Sequence, residues 1–231
     1  MGLKVGNNNV EDVLIGTNPV LKIYRGENII WQKQQGRLPS QYQEVEYIEN
    51  TNRQYIDSGV IGRPNIEVKA KAIFTDSANL NNLGLVGSRQ TSGGTRFYII
   101  STYSNRWHLG LGGDYTSDTY PKKNILYDIH FSFIEGNFVL YVDNNIILSG
   151  NTNIETTYPL YIFGVNNYGT VSRLAPAKLY SLEIIQDNTL VRNFIPCYRK
   201  ADGEIGLYDL VNDVFYTNQG TGTFSKGNDI N

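Results

Sequence analysis

Ile66-Glu67-Val68-Lys69-Ala70-Lys71-Ala72-Ile73-Phe74 decides the fold class. Ile66, Val68, Ala70, Ala72 and Phe74 occupy alternate positions, and in an extended chain alternate side chains share one face. The stretch from Ile125 to Phe133 repeats the pattern, with Ile129, Phe131 and Phe133 on one side. Arg96 to Ser101, Arg106 to Leu111, Tyr161 to Val165, Ala177 to Ile185 and Leu190 to Ile195 read as further short strands. Phe138 to Val142 and Ile146 to Leu148 flank Asp143-Asn144-Asn145, residues that tolerate positive φ and therefore suit a hairpin turn. Asp187-Asn188 marks another. No sustained helical periodicity interrupts the series. The spacing predicts an all-β protein built as a two-sheet antiparallel sandwich.

Composition agrees. The chain has 231 residues, 40% of them hydrophobic, which is enough for a sizeable core. Charged residues make up only 18%, while Tyr contributes 17 residues and Gly 23, a mixture suited to strands and tight turns. A net charge of −2, with no Lys/Arg block, disfavours nucleic acid as a partner. The single Cys197 lies in an apolar Phe-Ile-Pro-Cys-Tyr run that reads as core, and it cannot form an intrachain disulfide. The start, MGLKVGNNNVEDVLIG, lacks the apolar centre of a signal peptide, and no stretch is long and apolar enough for a membrane span. Assembly in the cytoplasm of the producing cell, without membrane insertion, is the expectation.

Two longer stretches carry a resemblance. Leu38 to Gly59 reads LPSQYQEVEYIENTNRQYIDSG, and Phe194 to Phe224 reads FIPCYRKADGEIGLYDLVNDVFYTNQGTGTF. Together they resemble the two ends of a concanavalin A-like, laminin G-like jelly-roll domain found in phage and prophage structural proteins of gut bacteria. The resemblance covers about residues 37–231 and implies a jelly roll, closed by a hairpin with turns at Asp202-Gly203 and Asn212-Asp213. It also implies a virion setting: a head fibre, decoration protein or tail-associated adhesin on the particle surface, synthesised in the host bacterial cytoplasm.

Residues 1–36 read as a separate small β unit ending in the polar linker Gln32 to Gly36. Val20 to Tyr24 and Ile29 to Trp31 flank Arg25-Gly26-Glu27-Asn28, a hairpin signal. Such a unit buries too little surface to stand alone. Ile23, Tyr24, Ile29, Ile30 and Trp31 are therefore the candidates for docking onto other virion proteins, which the resemblance of this segment to N-terminal modules of phage proteins also implies. A hairpin covering an edge of the main sheet is the alternative. Homo-oligomerisation is expected because fibres are commonly symmetric.

Chemistry is sparse. Glu44, Glu46 and Glu49 are spaced almost as in laminarinase-type jelly-roll glycosidases, whose paired carboxylates attack and protonate the glycosidic bond. In an unbulged strand, however, Glu49 points away from the other two, and a solvated edge strand is the preferred reading. His108 and His130 have no metal-ligand spacing, no nucleophile elbow is present, and Gly84 to Gly94 reads as a hairpin loop. No catalytic residue, metal or cofactor is expected. Asp114, Asp118 and Asp143 form no Asp-x-Asp-x-Asp loop for calcium.

Binding fits the residue types better. Sugars are held by aromatic faces against ring patches and by polar groups against hydroxyls. Tyr103, Asn105, Trp107, Asp114 and Tyr115 gather these types around one strand, and Asn166, Asn167 and Tyr168 around a second loop. Bacterial or mucin glycans are the expected ligands. The competing readings are a glycoside hydrolase and a purely structural capsid cement protein.

Overall fold

The computed structural model describes residues 37–51, 53–75, 78–90 and 95–230, together with the backbone of six short strands between Lys4 and Gln32. Backbone proximity divides the chain into two units, Met1–Pro39 and Ser40–Asn231. In the first, β1 (Lys4–Val5) pairs with β2 (Asn8–Asn9), and β3 (Leu14–Ile15) with β4 (Asn18–Pro19). There β5 (Lys22–Arg25) also pairs with β6 (Asn28–Gln32). The docking candidates Ile23, Tyr24, Ile29, Ile30 and Trp31 lie on this last ribbon, and their side chains fall outside the described residues.

The second unit opens with β7 (Tyr42–Glu44), β8 (Ile48–Asn50), β9 (Ile56–Ile61), β10 (Ile66–Phe74), β11 (Asn82–Arg89) and β12 (Arg96–Tyr103). It continues through β13 (Arg106–Leu111), β14 (Gly113–Thr116), β15 (Leu126–Ile134), β16 (Asn137–Val142), β17 (Asn145–Asn151) and β18 (Pro159–Ile162). Then come β19 (Gly164–Asn167), β20 (Thr170–Ser172), β21 (Ala177–Gln186), β22 (Thr189–Arg199), β23 (Ile205–Asp209), β24 (Val214–Thr217) and β25 (Ser225–Lys226). Among the described residues there is no helix, and so none that is long and apolar enough to cross a membrane.

These strands form two sheets packed face to face. The larger runs β17-β16-β15-β10-β21-β22-β23-β24, with β7 on β22, β8 on β21 and β25 on β8. The smaller runs β14-β13-β12-β11-β18-β9, with β19 on β11 and β20 on β19. Pairing is antiparallel except between β11 and β19. The expected all-β, two-sheet antiparallel sandwich of jelly-roll type is the observed architecture.

Alternation explains the core. On β10, Ile66, Val68, Ala70, Ala72 and Phe74 are buried, and on the neighbouring β15 so are Ile129, Phe131 and Phe133. The facing sheet contributes Phe97, Trp107, Leu109 and Leu111. Phe97 meets Phe133 at 6.0 Å and Phe74 meets Trp107 at 5.8 Å between ring centroids, contacts that bridge the two layers. Each such fully buried large side chain contributes about 1.5–3 kcal/mol relative to exposure.

The two stretches that carried the resemblance meet in the larger sheet. Glu44 of β7 lies opposite Cys197 of β22, and Ile48 of β8 opposite Leu179 of β21. Their polar residues act as clamps. The fully buried Asn50 donates from Nδ2 to the Ala175 carbonyl (3.2 Å), while its Oδ1 accepts from the backbone N–H of Arg53 (3.1 Å). The buried Asp209 carboxylate accepts from the backbone N–H groups of Asn193 (2.9 Å) and Val211 (3.1 Å) and from Asn212 Nδ2 (2.7 Å). Arg192 lies 3.6 Å away. Those long motifs therefore encode closure of the fold.

Two local expectations are corrected. Gly84 to Gly94 is not simply a hairpin loop, because Gly84 and Gly87 lie inside β11. A Cβ at Gly84 would collide with Val165 Cγ2, so glycine there lets Val165 pack on the strand. The expected strand Tyr161 to Val165 is interrupted at Phe163, which adopts φ 67° and separates β18 from β19.

Candidate functional site

Strands β12, β13 and β14 form a meander whose two faces have different chemistry. Trp107, Leu109 and Leu111 of β13 point into the core, so Arg106, His108 and Gly110 face outward by alternation. The register places Tyr103 opposite Arg106, Ser101 opposite His108, and His108 opposite Thr116, while Asp114 faces Gly110. The outer face thus carries Tyr103, Ser101, Arg106, His108 and Asp114, joined by Arg96 at the start of β12.

Polar contacts organise this face. Arg96 Nη1 donates to both Asp114 carboxylate oxygens, at 2.8 and 2.6 Å. His108 Nε2 lies 3.0 Å from Asp114 Oδ1, and His108 Nδ1 lies 2.9 Å from Ser101 Oγ. Burial drives the His108 pKa below its usual value, against the opposing pull of Asp114. Burial also pushes Asp114 upward, but its hydrogen bonds from His108 and Arg96 outweigh this and hold the carboxyl below its ordinary range. A neutral His108 therefore donates from Nε2 to an ionised Asp114 and accepts from Ser101 at Nδ1.

Ser101, His108 and Asp114 lie in a row, but His108 turns Nδ1 to Ser101 and Nε2 to Asp114, the reverse of the nitrogen roles in a Ser-His-Asp triad. Ser101 is 0% and His108 1% exposed, so no substrate carbonyl reaches the hydroxyl. Ser101 Oγ also lies 2.6 Å from the His108 carbonyl, so its single proton is shared between that carbonyl and His108 Nδ1.

Ser101 and His108 are buried, but Asp114 is exposed, and further exposed groups lie beside it. Tyr103 is 47% exposed and its ring stands 5.6 Å from that of His108. Arg106 sits 5.3 Å above the ring of Tyr120, which is 55% exposed, and pairs with Asp118 at 3.5 Å. One accessible ring, Tyr120, thus packs on the Arg106 guanidinium, and a second, Tyr103, belongs to the residue paired with Arg106 across β12 and β13. Asn105, exposed in the β12–β13 turn, has φ 63° and follows Ser104 at φ 50°, the paired left-handed geometry of a tight hairpin.

The remaining candidates divide differently. Trp107 is only 2% exposed and packs on Phe74 and on Tyr127 at 5.2 Å, so it cannot stack on a sugar; this corrects its assignment to a glycan site. Tyr115 turns inward against Phe138 at 4.6 Å and supports the core. Asn166 is buried, donating to the Pro159 carbonyl (3.0 Å) and accepting from the Gly169 N–H (2.8 Å), so it too is a turn clamp and not a ligand contact. Asn167 and Tyr168 are half-buried, with Asn167 Oδ1 and the Tyr168 hydroxyl enclosed and without hydrogen-bond partners among the described residues. Tyr168 meets Tyr158 edge-on at 6.4 Å.

Arg96, Tyr120 and Arg173 were not foreseen. Arg173 lies 4.8 Å from the ring of Tyr98, an outward-facing residue on β12. Strand alternation alone would have separated Trp107 from Arg106 and His108, whereas Arg96 and Asp114 meet only through a register spanning three strands. Among the described residues, no group of three or more His, Cys, Asp or Glu side chains is placed to hold a metal.

Glu44, Glu46 and Glu49 are placed as follows. Glu44 and Glu49 belong to different strands, which pair with β22 and β21 respectively. Glu46 Oε2 accepts from the backbone N–H (3.1 Å) and Nδ2 (3.2 Å) of Asn228, tying down the C-terminal segment.

The fold is similar to that of a candidate carbohydrate-binding protein from Bacteroides ovatus ATCC 8483. The superposition has a TM-score of 0.55 at 16% identity and covers 81% of this chain. It spans 62% of that protein's chain, so the likeness is one of fold over part of its length. No protein-family model matches the chain, and no curated protein does.

Proposed function

We propose that residues 40–231 form a non-catalytic carbohydrate-binding domain whose ligand lies along the outer face of β12–β14. One observation carries this reading: the exposed ring of Tyr120 packs on Arg106, and that of Tyr103, the residue paired with Arg106, lies on His108 of the Arg96–Asp114–His108 row. Aromatic faces cover the apolar side of a pyranose, and fixed charged groups bind its hydroxyls. The framework is held by cross-strand hydrogen bonds, so little ordering accompanies binding. The fold shared with the Bacteroides ovatus protein supports the same reading.

The larger setting proposed is a bacteriophage virion surface, with the domain presented to a host or mucus layer as part of a fibre, decoration or tail adhesin. Its support is the resemblance of Leu38 to Gly59 and Phe194 to Phe224 to gut-phage jelly rolls. Many copies on one particle would turn weak single-site contacts into retention. A multivalent display of the full chain on an array of bacterial and mucin glycans tests the proposal. Competable binding that weakens in Tyr103→Ala and Tyr120→Ala is the expected result. Silence across the array would favour the cement-protein reading, and cleavage of a polysaccharide lost in Glu46→Ala would favour the hydrolase.

A further inference from the structure

The first 39 residues contain a repeat. Lys4 faces Asn9 and Val5 faces Asn8; ten residues on, Leu14 faces Pro19 and Ile15 faces Asn18; ten further, Tyr24 faces Ile29 and Arg25 faces Asn28. The sequence follows the same period. Gly6, Gly16 and Gly26 come first between the paired strands, and Asn8, Asn18 and Asn28 open the returning ones. Glycine in that first position is the preferred chemistry of a two-residue hairpin. Val10, Val20 and Ile30 recur at one position, and Val13 and Ile23 at another.

Among the described residues, none of the three ribbons is hydrogen-bonded to another. A lone two-stranded ribbon is at best marginally stable, and repeated units gain stability by stacking on like units. Charge narrows the choice of partner. Within residues 4–32, Lys4, Lys22 and Arg25 balance Glu11, Asp12 and Glu27, three against three, so that stretch has no net attraction for nucleic acid or an anionic membrane. A neutral segment with both signs dispersed along a repeat is complementary to itself.

We propose that residues 4–32 are an assembly repeat whose partner is the same segment of further copies of this chain. The repeat is the place where binding domains are gathered into one multivalent particle. This inference rests on the strand pairings and holds whether or not the second unit binds glycans.

Sedimentation velocity on the full chain provides the test. The wild type should sediment at a multiple of the single-chain mass, so dissociation reads as a drop of at least twofold. Lys22→Glu with Arg25→Glu leaves one cation against five anions, a net charge of −4. That variant should dissociate in low salt and reassociate near 1 M salt, where charges are screened beyond about 3 Å. Val10→Asp with Val20→Asp and Ile30→Asp should dissociate at every salt concentration. Dissociation by either set, with the thermal unfolding midpoint of the 40–231 unit unchanged, supports the proposal. A wild type that sediments as one chain, an assembly that survives both sets, or dissociation accompanied by a lowered midpoint would overturn it.

Discussion

Trp107 and Tyr103 are four residues apart and have opposite fates, because one faces the core and the other faces water. Trp107→Ala should cost about 3–5 kcal/mol of stability by opening a cavity against Phe74 and Tyr127, which urea denaturation would show. Tyr103→Ala should leave stability within about 0.5 kcal/mol. His108 adds a pH signature. Its folded-state pKa lies below the unfolded value of 6.5, so the unfolded chain binds the proton more readily. Its stabilising contribution is therefore complete above pH 6.5 and is lost as pH falls through the folded pKa. Asp114, Asp202 and Asp229 are also held below 3.8, so their contributions disappear only in stronger acid. Denaturant midpoints should decline from pH 7 to pH 5 in the wild type and stay nearly flat in His108→Gln. Alternation made the buried state of Trp107 legible beforehand; grouping it with Tyr103 by residue type obscured that signal.

At the scale of the element, the strands were legible wherever one face is apolar and the other polar, as on β10 and β15. They were less legible where both faces are covered. On β11, Val165 lies against Gly84 and Gly87, so no alternation survives and glycines look like a loop. The Asp209 cluster shows the other limit. It lies in the stretch from Phe194 to Phe224, but only the fold reveals that the carboxylate receives two backbone N–H groups and Asn212. Asp209→Ala should destabilise the domain by about 3 kcal/mol, since it strips these donors and leaves Arg192 without its carboxylate. Gly206→Ala, whose added methyl would strike the Tyr216 carbonyl on the neighbouring strand, should cost about 1–3 kcal/mol. Thermal melts of both variants would check these values, with glycan binding by the remaining folded protein unchanged.

For the whole molecule, the architecture followed from periodicity, because a two-sheet sandwich is what many short amphipathic strands can bury together. The proposed binding face did not follow, because it depends on pairings between β12, β13 and β14 that bring Arg96, His108 and Asp114 into one row. Within that row His108 is buried, Arg96 partly exposed and Asp114 exposed, and under the proposal the exposed rings at its margin are the groups a ligand touches. Retention of the full chain on a mucin-coated surface, compared between wild type and Tyr103→Ala by biolayer interferometry, tests the central claim most directly. The account predicts that the wild type is retained and that the variant, equally stable, is retained about tenfold less, the equivalent of about 1.4 kcal/mol at one stacking contact. Equal retention of the two proteins, or none by the wild type, would contradict it.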